Sequence, residues 1–190
     1  MKKLFLAAVL AACLANHLMA GPVDDFVKTI KGTDTEKVVP LPNRKASCSF
    51  YKLADAMDLN KSAAGGMPKQ PQSSPVELMQ ALSVLFSNLN AENVKTIKSY
   101  HAPDDLIQRI PTDRFIAMLQ KDRKDWVIST IVRDGDLIFL CGQYKDGKTG
   151  KIEKDVWPMM FQDGSWHVVV ATRNFITVSG MDLMQYLAKD

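Results

Sequence analysis

Cysteine is scarce in this sequence of 190 residues: there are three, at positions 13, 48 and 141, and no Cys-x-x-Cys pair. A thioredoxin-type redox centre and a cysteine-rich zinc site are therefore excluded. Histidine is equally rare, with only His17, His101 and His167, and no helical spacing brings two of them to one metal ion. An excess of one charge is also lacking. The 24 Lys+Arg face 21 Asp+Glu, and setting aside the first twenty residues, with Lys2 and Lys3, leaves 22 against 21. So even a balance argues against a nucleic-acid partner, which needs a basic stripe to neutralise phosphates. Asp146–Gly150 lacks the spacing of a phosphate loop. No cofactor-binding motif is present, and the longest apolar run is too short to span a bilayer.

That run, Leu4–Ala15, follows Met1-Lys2-Lys3 and precedes Asn16, His17 and the small residues Ala20 and Gly21. A positive start, a short apolar core and a small-residue cleavage site predict a signal peptide over residues 1–20, and with it export to the periplasm or beyond. Leu10-Ala11-Ala12-Cys13 also resembles the lipobox of bacterial lipoproteins. On that route Cys13 is acylated and anchors the chain to the envelope, the one circumstance in which a membrane partner is expected. Either route leaves Cys48 and Cys141, which form one disulfide or stay as two buried thiols.

Val23, Phe26, Val27 and Ile30 recur at helical spacing and predict a short amphipathic helix. Pro40 and Pro42 then interrupt regular structure, and Phe50, Leu53 and Met57 suggest weak helical anchors over residues 49–59. Residues 61–75, rich in Gly, Pro and Ser, read as a linker at a domain boundary. It divides an N-terminal lead (21–74) from a domain over 75–175, with residues 176–190 following as a C-terminal segment. Ser74-Pro75-Val76-Glu77 opens a helix whose stripe is Val76, Met79, Leu82, Leu85, Phe86 and Leu89. Asn90 caps a second helix, and Thr112 or Asp113 starts a third. From Trp126 onward, β-branched and aromatic runs alternate with Asp-Gly turns and predict a four-stranded antiparallel meander over 126–132, 137–144, 152–161 and 166–172. Pro158 implies a bulge or an edge in the third strand, and a last helix spans Met181 to Leu187. The class is α+β, three helices packed on a curved antiparallel four-stranded sheet.

This order resembles the nuclear transport factor-like superfamily, the cystatin-like α+β cone that also houses ketosteroid isomerases and SnoaL-like proteins. Leu85-Phe86-Ser87-Asn88-Leu89-Asn90-Ala91-Glu92-Asn93-Val94 looks like the family's passage from first to second helix. Gln162-Asp163-Gly164-Ser165-Trp166-His167-Val168-Val169 looks like its closing hairpin. The resemblance implies a pocket between helices and concave sheet, used for small apolar ligands and sometimes for catalysis, and dimerisation through the sheet.

An isomerase of that kind needs a carboxylate base and an acidic donor in its cone, yet Met79, Leu82, Leu85 and Phe86 supply neither. The remaining acid/base candidates are Tyr100, His101 and Asp105, beside Asp104, after the second helix. Alternation separates Trp166, Val168 and Val170 from His167 on the last strand. Trp126, Tyr144, Trp157 and Met159 are the expected contact surface for an apolar ligand or an envelope protein. Lys145, Lys148, Lys151 and Lys154, balanced by Asp146, Glu153 and Asp155, read as a solvated hairpin. The first reading is a non-enzymatic exported binding or accessory domain. The alternatives are an acid/base enzyme and a structural homodimerisation module.

Overall fold

A computed structural model describes residues 21–41, 44–119 and 123–170. The expected signal peptide with Cys13, the last strand's end beyond residue 170 and the expected helix Met181–Leu187 lie outside the described residues. Helix α1 (Pro22–Thr29) opens with Pro22 at its first position, and Asp24 Oδ2 reaches back to the Gly21 N–H at 3.3 Å. Asp24 and Asp25 in its first turn and Lys28 in its last oppose the helix dipole favourably. This helix belongs to one unit, Met1–Ile30, and everything that follows to a second, Lys31–Asp190.

The second unit is α+β, as expected, but its sheet has six strands. These are β1 (Gly32–Leu41), β2 (Arg44–Asp58), β3 (Arg123–Asp134), β4 (Leu137–Asp146), β5 (Ile152–Gln162) and β6 (Ser165–Val168), in sequence order and all antiparallel. The four expected strands are β3–β6. The two additional ones occupy the stretch read as irregular and weakly helical. Pro40 does not break β1, because β1 is an edge. The Ala54 N–H donates to the Lys31 carbonyl, so alternate residues from Lys31 bond β2 and Pro40 falls on the outward side, where no N–H is needed. In β2, Phe50 and Cys48 are buried at the two-residue spacing of a strand. A register shift between Lys52 and Met57 offsets the rest and produces the helix-like spacing.

Between β2 and β3 lie the helices α2 (Leu59–Ala63), α3 (Pro75–Ser87), α4 (Ala91–Ser99) and α5 (Thr112–Leu119), with a 3₁₀ turn at Leu106–Arg109. The Gly/Pro/Ser stretch at 61–75 lies inside the second unit, between α2 and α3. Caps fall where the sequence places them. Ser74 accepts from the Glu77 N–H and Asn90 from those of Glu92 and Asn93, although Glu77 meets the Ser73 hydroxyl instead of closing a box with Ser74.

Of the three Asp-Gly turns, only Asp163-Gly164 has both residues at positive φ, 50° and 81°, the type I′ geometry that matches strand twist. Asp134 remains in β3, paired with Leu137, and Gly135 leads the turn at φ 59°. In the β4–β5 connection, Gly150, not Gly147, takes the left-handed position at φ 69°. Pro158 causes no bulge, since the β4–β5 register runs unbroken from Leu137↔Met160 to Lys145↔Ile152. It marks the end of β6 instead. Its carbonyl accepts the Val169 N–H, and proline has no N–H to return.

The bulges lie in the β2–β3 and β3–β4 pairings, at Lys52/Met57, Lys124/Val127 and Ile128/Thr130. At the last of these Gly142 faces the β3 backbone so closely that an added Cβ would stand 2.2 Å from the Val127 carbonyl oxygen. Backbone cannot yield there without losing register. We expect Gly142→Ala to cost at least about 2 kcal/mol, a fall in melting temperature of roughly 4–8 °C measurable by thermal circular dichroism. An unchanged melting temperature would show that the bulge adapts.

Candidate functional site

Alternation gives the sheet two sides, and both are buried at its centre. On one, Cys48 and Phe50 of β2, Val132 of β3 and Phe139 and Cys141 of β4 form an apolar cluster bordered by Leu137 and Val156. Of the two alternatives for Cys48 and Cys141, the structure shows two buried thiols, not bonded to one another. Cys48 and Cys141 sit on strands separated by β3, roughly 10 Å of sheet, beyond the 7 Å that bridged Cα atoms allow. Burial, with the Asp155 charge, pushes the Cys141 thiol far up and makes it unreactive.

The other side carries Ile138, Leu140, Trp126, Tyr144, Trp157 and Met159, and meets the helices through Phe86 of α3. The Phe86 and Trp157 rings lie 6.0 Å apart and the Trp157 and Trp126 rings 5.0 Å apart. Trp126 on β3 and Trp157 on β5 reach each other across β4. Gly142, opposite Ile128 on one side and Asp155 on the other, puts no side chain between them at that level. The Trp157 indole N–H donates to Asp155 at 3.2 Å, and the Tyr144 hydroxyl to its cross-strand neighbour Glu153 at 2.7 Å.

Of the four residues expected as contact surface, Met159 is fully buried, and Trp126 and Tyr144 are 5% and 6% exposed. These three are core. Trp157 and Phe86 are half-buried and form the accessible part. Sequence periodicity places Phe86 in a core stripe, and nothing in linear spacing announces that it meets Trp157, seventy-one positions away.

The acid/base candidates are brought together, and are enclosed. His101 is 4% exposed and Asp105 1%, with His101 Nδ1 3.5 Å from Asp105 Oδ2. This is the outer limit of a hydrogen bond, and Nδ1 meets no other partner among the described residues. The carboxylate serves the backbone. Its Oδ1 accepts the Ile107 N–H at 3.1 Å, capping the 3₁₀ turn, and its Oδ2 accepts the Val170 N–H at 2.6 Å. Burial pushes the Asp105 pKa up, but His101 and the two N–H donors outweigh it and hold the carboxyl below its ordinary value.

Tyr100 is also buried, which raises its pKa, while Asp104 is exposed. The Tyr100–Ala102 backbone pairs in parallel with Val168: Val168 N–H to the Tyr100 carbonyl, Ala102 N–H to that of Val168. Gln108 donates to the carbonyls of Lys98 and Ala102 and closes the segment from below. His167 lies alongside, with Gln72 Nε2 3.3 Å from its Nδ1 and 3.0 Å from the Trp166 carbonyl. Burial lowers the His167 pKa against the opposing pull of neighbouring hydrogen bonds. Val169, not Val170, is buried after Val168, so the expected alternation ends with β6. Among the described residues, no three His, Cys, Asp or Glu side chains converge as metal ligands, and no helix is long and apolar enough to cross a membrane.

Comparison with family models, with curated proteins and with solved structures gives no match to this chain.

The Asp105 tie generates a measurable acid sensitivity. A carboxyl whose pKa is lowered on folding adds stability above its unfolded value of about 4, and this is lost as pH falls through the lowered folded value. His167, lowered on folding, adds stability above its unfolded value of about 6.5 that is lost as pH falls below it. We expect Asp105→Ala to cost about 3 kcal/mol at neutral pH, and Asp105→Asn less, because Asn still caps Ile107. Denaturant titrations at a series of pH values should show His167→Gln flattening the upper acid step and Asp105→Asn the lower.

Proposed function

We propose that this chain is an exported, non-enzymatic binding or accessory domain of the bacterial envelope, of the nuclear transport factor-like kind, that holds a small apolar ligand against Phe86 and Trp157. The observation that carries this reading is the Phe86–Trp157–Trp126 cluster, in which Phe86 and Trp157 are half-buried and Trp126 is enclosed. Aromatic faces with open area bind apolar ligands at low entropic cost. Helices that lead into the antiparallel strands β3–β6, with α3 laid against one face of the sheet, support the family resemblance, to which β1 and β2 are additional. The signal-like start of the sequence supports export.

An acid/base enzyme finds little support in His101 and Asp105, because the carboxylate is engaged by two backbone N–H groups and both side chains are enclosed. The competing occupant of the aromatic surface is a second copy of the chain.

Titration with N-phenyl-1-naphthylamine, an uncharged apolar probe, tests the reading through energy transfer from tryptophan. We expect saturable binding that Phe86→Ala and Trp157→Ala each weaken about tenfold or more, whereas Leu106→Ser, at an exposed site elsewhere, leaves it unchanged. Equal binding by Trp157→Ala and the parent chain would overturn the assignment. A fall from dimer to monomer mass in Trp157→Ala would give the surface to a second copy.

A further inference from the structure

The β4–β5 hairpin extends beyond the buried part of the sheet. Tyr144 is the last buried residue of β4, and from Lys145 to Lys154 only Asp146 is even half-buried. Ile152 stands in this stretch at 61% exposure, the highest of the large apolar side chains among the described residues. An isolated exposed apolar residue is ordinary; its surroundings here are not. Lys145 is its cross-strand partner, Lys151 precedes it, Lys148 lies in the turn and Lys154 follows two positions on, along the same side of the strand.

The hairpin's acids Asp146 and Glu153 each accept hydrogen bonds within it, and the Lys148 charge also acts on Asp146. Asp146 Oδ1 accepts the N–H groups of Lys148 and Thr149 and the Thr149 hydroxyl, which shapes the turn. Glu153, on the opposite side of the strand, accepts the Tyr144 hydroxyl. Among the described residues Lys145, Lys148 and Lys151 make no ion pair within 4.0 Å. The tip therefore presents an exposed aliphatic side chain with Lys145 and Lys154 on its own side of the hairpin, Lys148 in the turn and Lys151 on the other side with Glu153.

We propose that this hairpin tip docks on an anionic lipid surface, with Ile152 entering the interface and Lys145, Lys148 and Lys151 meeting lipid phosphates. Lysines near such a surface are drawn by its potential, and their aliphatic stems lie along the apolar boundary while the charges remain in water. A soluble acidic protein would satisfy the lysines but gains nothing from an exposed isoleucine beside Lys145, so the isoleucine favours lipid. The proposal is independent of the apolar-ligand reading, since it concerns the tip and not Phe86 or Trp157.

The test is sedimentation of the full chain with phosphatidylcholine vesicles that contain or lack phosphatidylglycerol, together with hydrogen exchange of residues 145–154. Exchange reads the tip itself, so any contribution from the N-terminal apolar run does not imitate it. We expect binding that depends on phosphatidylglycerol and is lost at high salt, with slowed exchange at the tip. The combined Lys145→Gln, Lys148→Gln, Lys151→Gln variant should bind about a hundredfold more weakly, at roughly fivefold per lysine, and Ile152→Ser about tenfold more weakly. Unchanged exchange at the tip, or equal affinity of the triple variant, would overturn the proposal. So would protection by soluble polyglutamate, in place of vesicles, that Ile152→Ser leaves intact; the tip would then read acidic polymers.

Discussion

Strand β4 buries four residues in succession, Ile138 to Cys141, and much of the structure follows from that. Successive strand residues point to opposite sides, so four buried in a row require both faces of the sheet to be covered at this level. Such a strand reads as a continuous apolar run, not as an alternation. It must also be flanked on both edges, as it is by β3 and β5. The run stops at Gly142, where β3 comes too close for any side chain. Beyond that point the same hairpin becomes polar within a few residues. A single strand thus passes from doubly buried core to a charged tip, and the aromatic cluster lies at the transition. The Cys48 and Cys141 thiols share the first of these regions as small apolar side chains, which explains their burial without a bond between them.

The second organising contact is made by residues whose chemistry suggested catalysis. Sequence alone cannot tell a buried carboxylate that anchors backbone from one that moves protons, because the two use the same side chains. What separates them is where the lone pairs point. Asp105 directs one oxygen to the turn that starts beside it and the other to Val170, sixty-five positions away, and so joins the end of the meander to the helical segment. Deleting such a partner leaves N–H groups buried without acceptors. His101 and Asp105 lie side by side, and the carboxylate's contacts are those of closure.

What the sequence made legible was whatever rests on local chemistry. Ser74 and Asn90 cap helices because their oxygens reach N–H groups two or three residues on, and Asp163-Gly164 turns a hairpin because both residues tolerate positive φ. Strands β1 and β2 were illegible for specific reasons. Pro40 signals an interruption unless the strand is known to be an edge, and edge status is a property of the whole sheet. The offset between Lys52 and Met57 replaces alternation by spacings of three and four, which read as helix. The aromatic site was half legible. Trp126 and Trp157 stood out by type, but their contact depends on Gly142 leaving the level between them open, and Phe86 joins them only through the packing of α3.

These contacts sort the polar and aromatic residues by what the fold already asks of them. Asp105, Gln72 and Gln108 bind backbone; Met159, Trp126 and Tyr144 are enclosed; Asp146 shapes a turn. Residues so engaged are costly to recruit for another purpose, since a ligand would have to compete with contacts that hold the chain together. Phe86 and Trp157 retain open area, and Ile152 with Lys145, Lys148 and Lys151 stands outside the core altogether. All but Phe86 lie on the β4–β5 hairpin or its immediate continuation, whose unbroken register keeps them in a fixed relation. A ligand at the aromatic rings and a surface at the tip would therefore load the same element from two places.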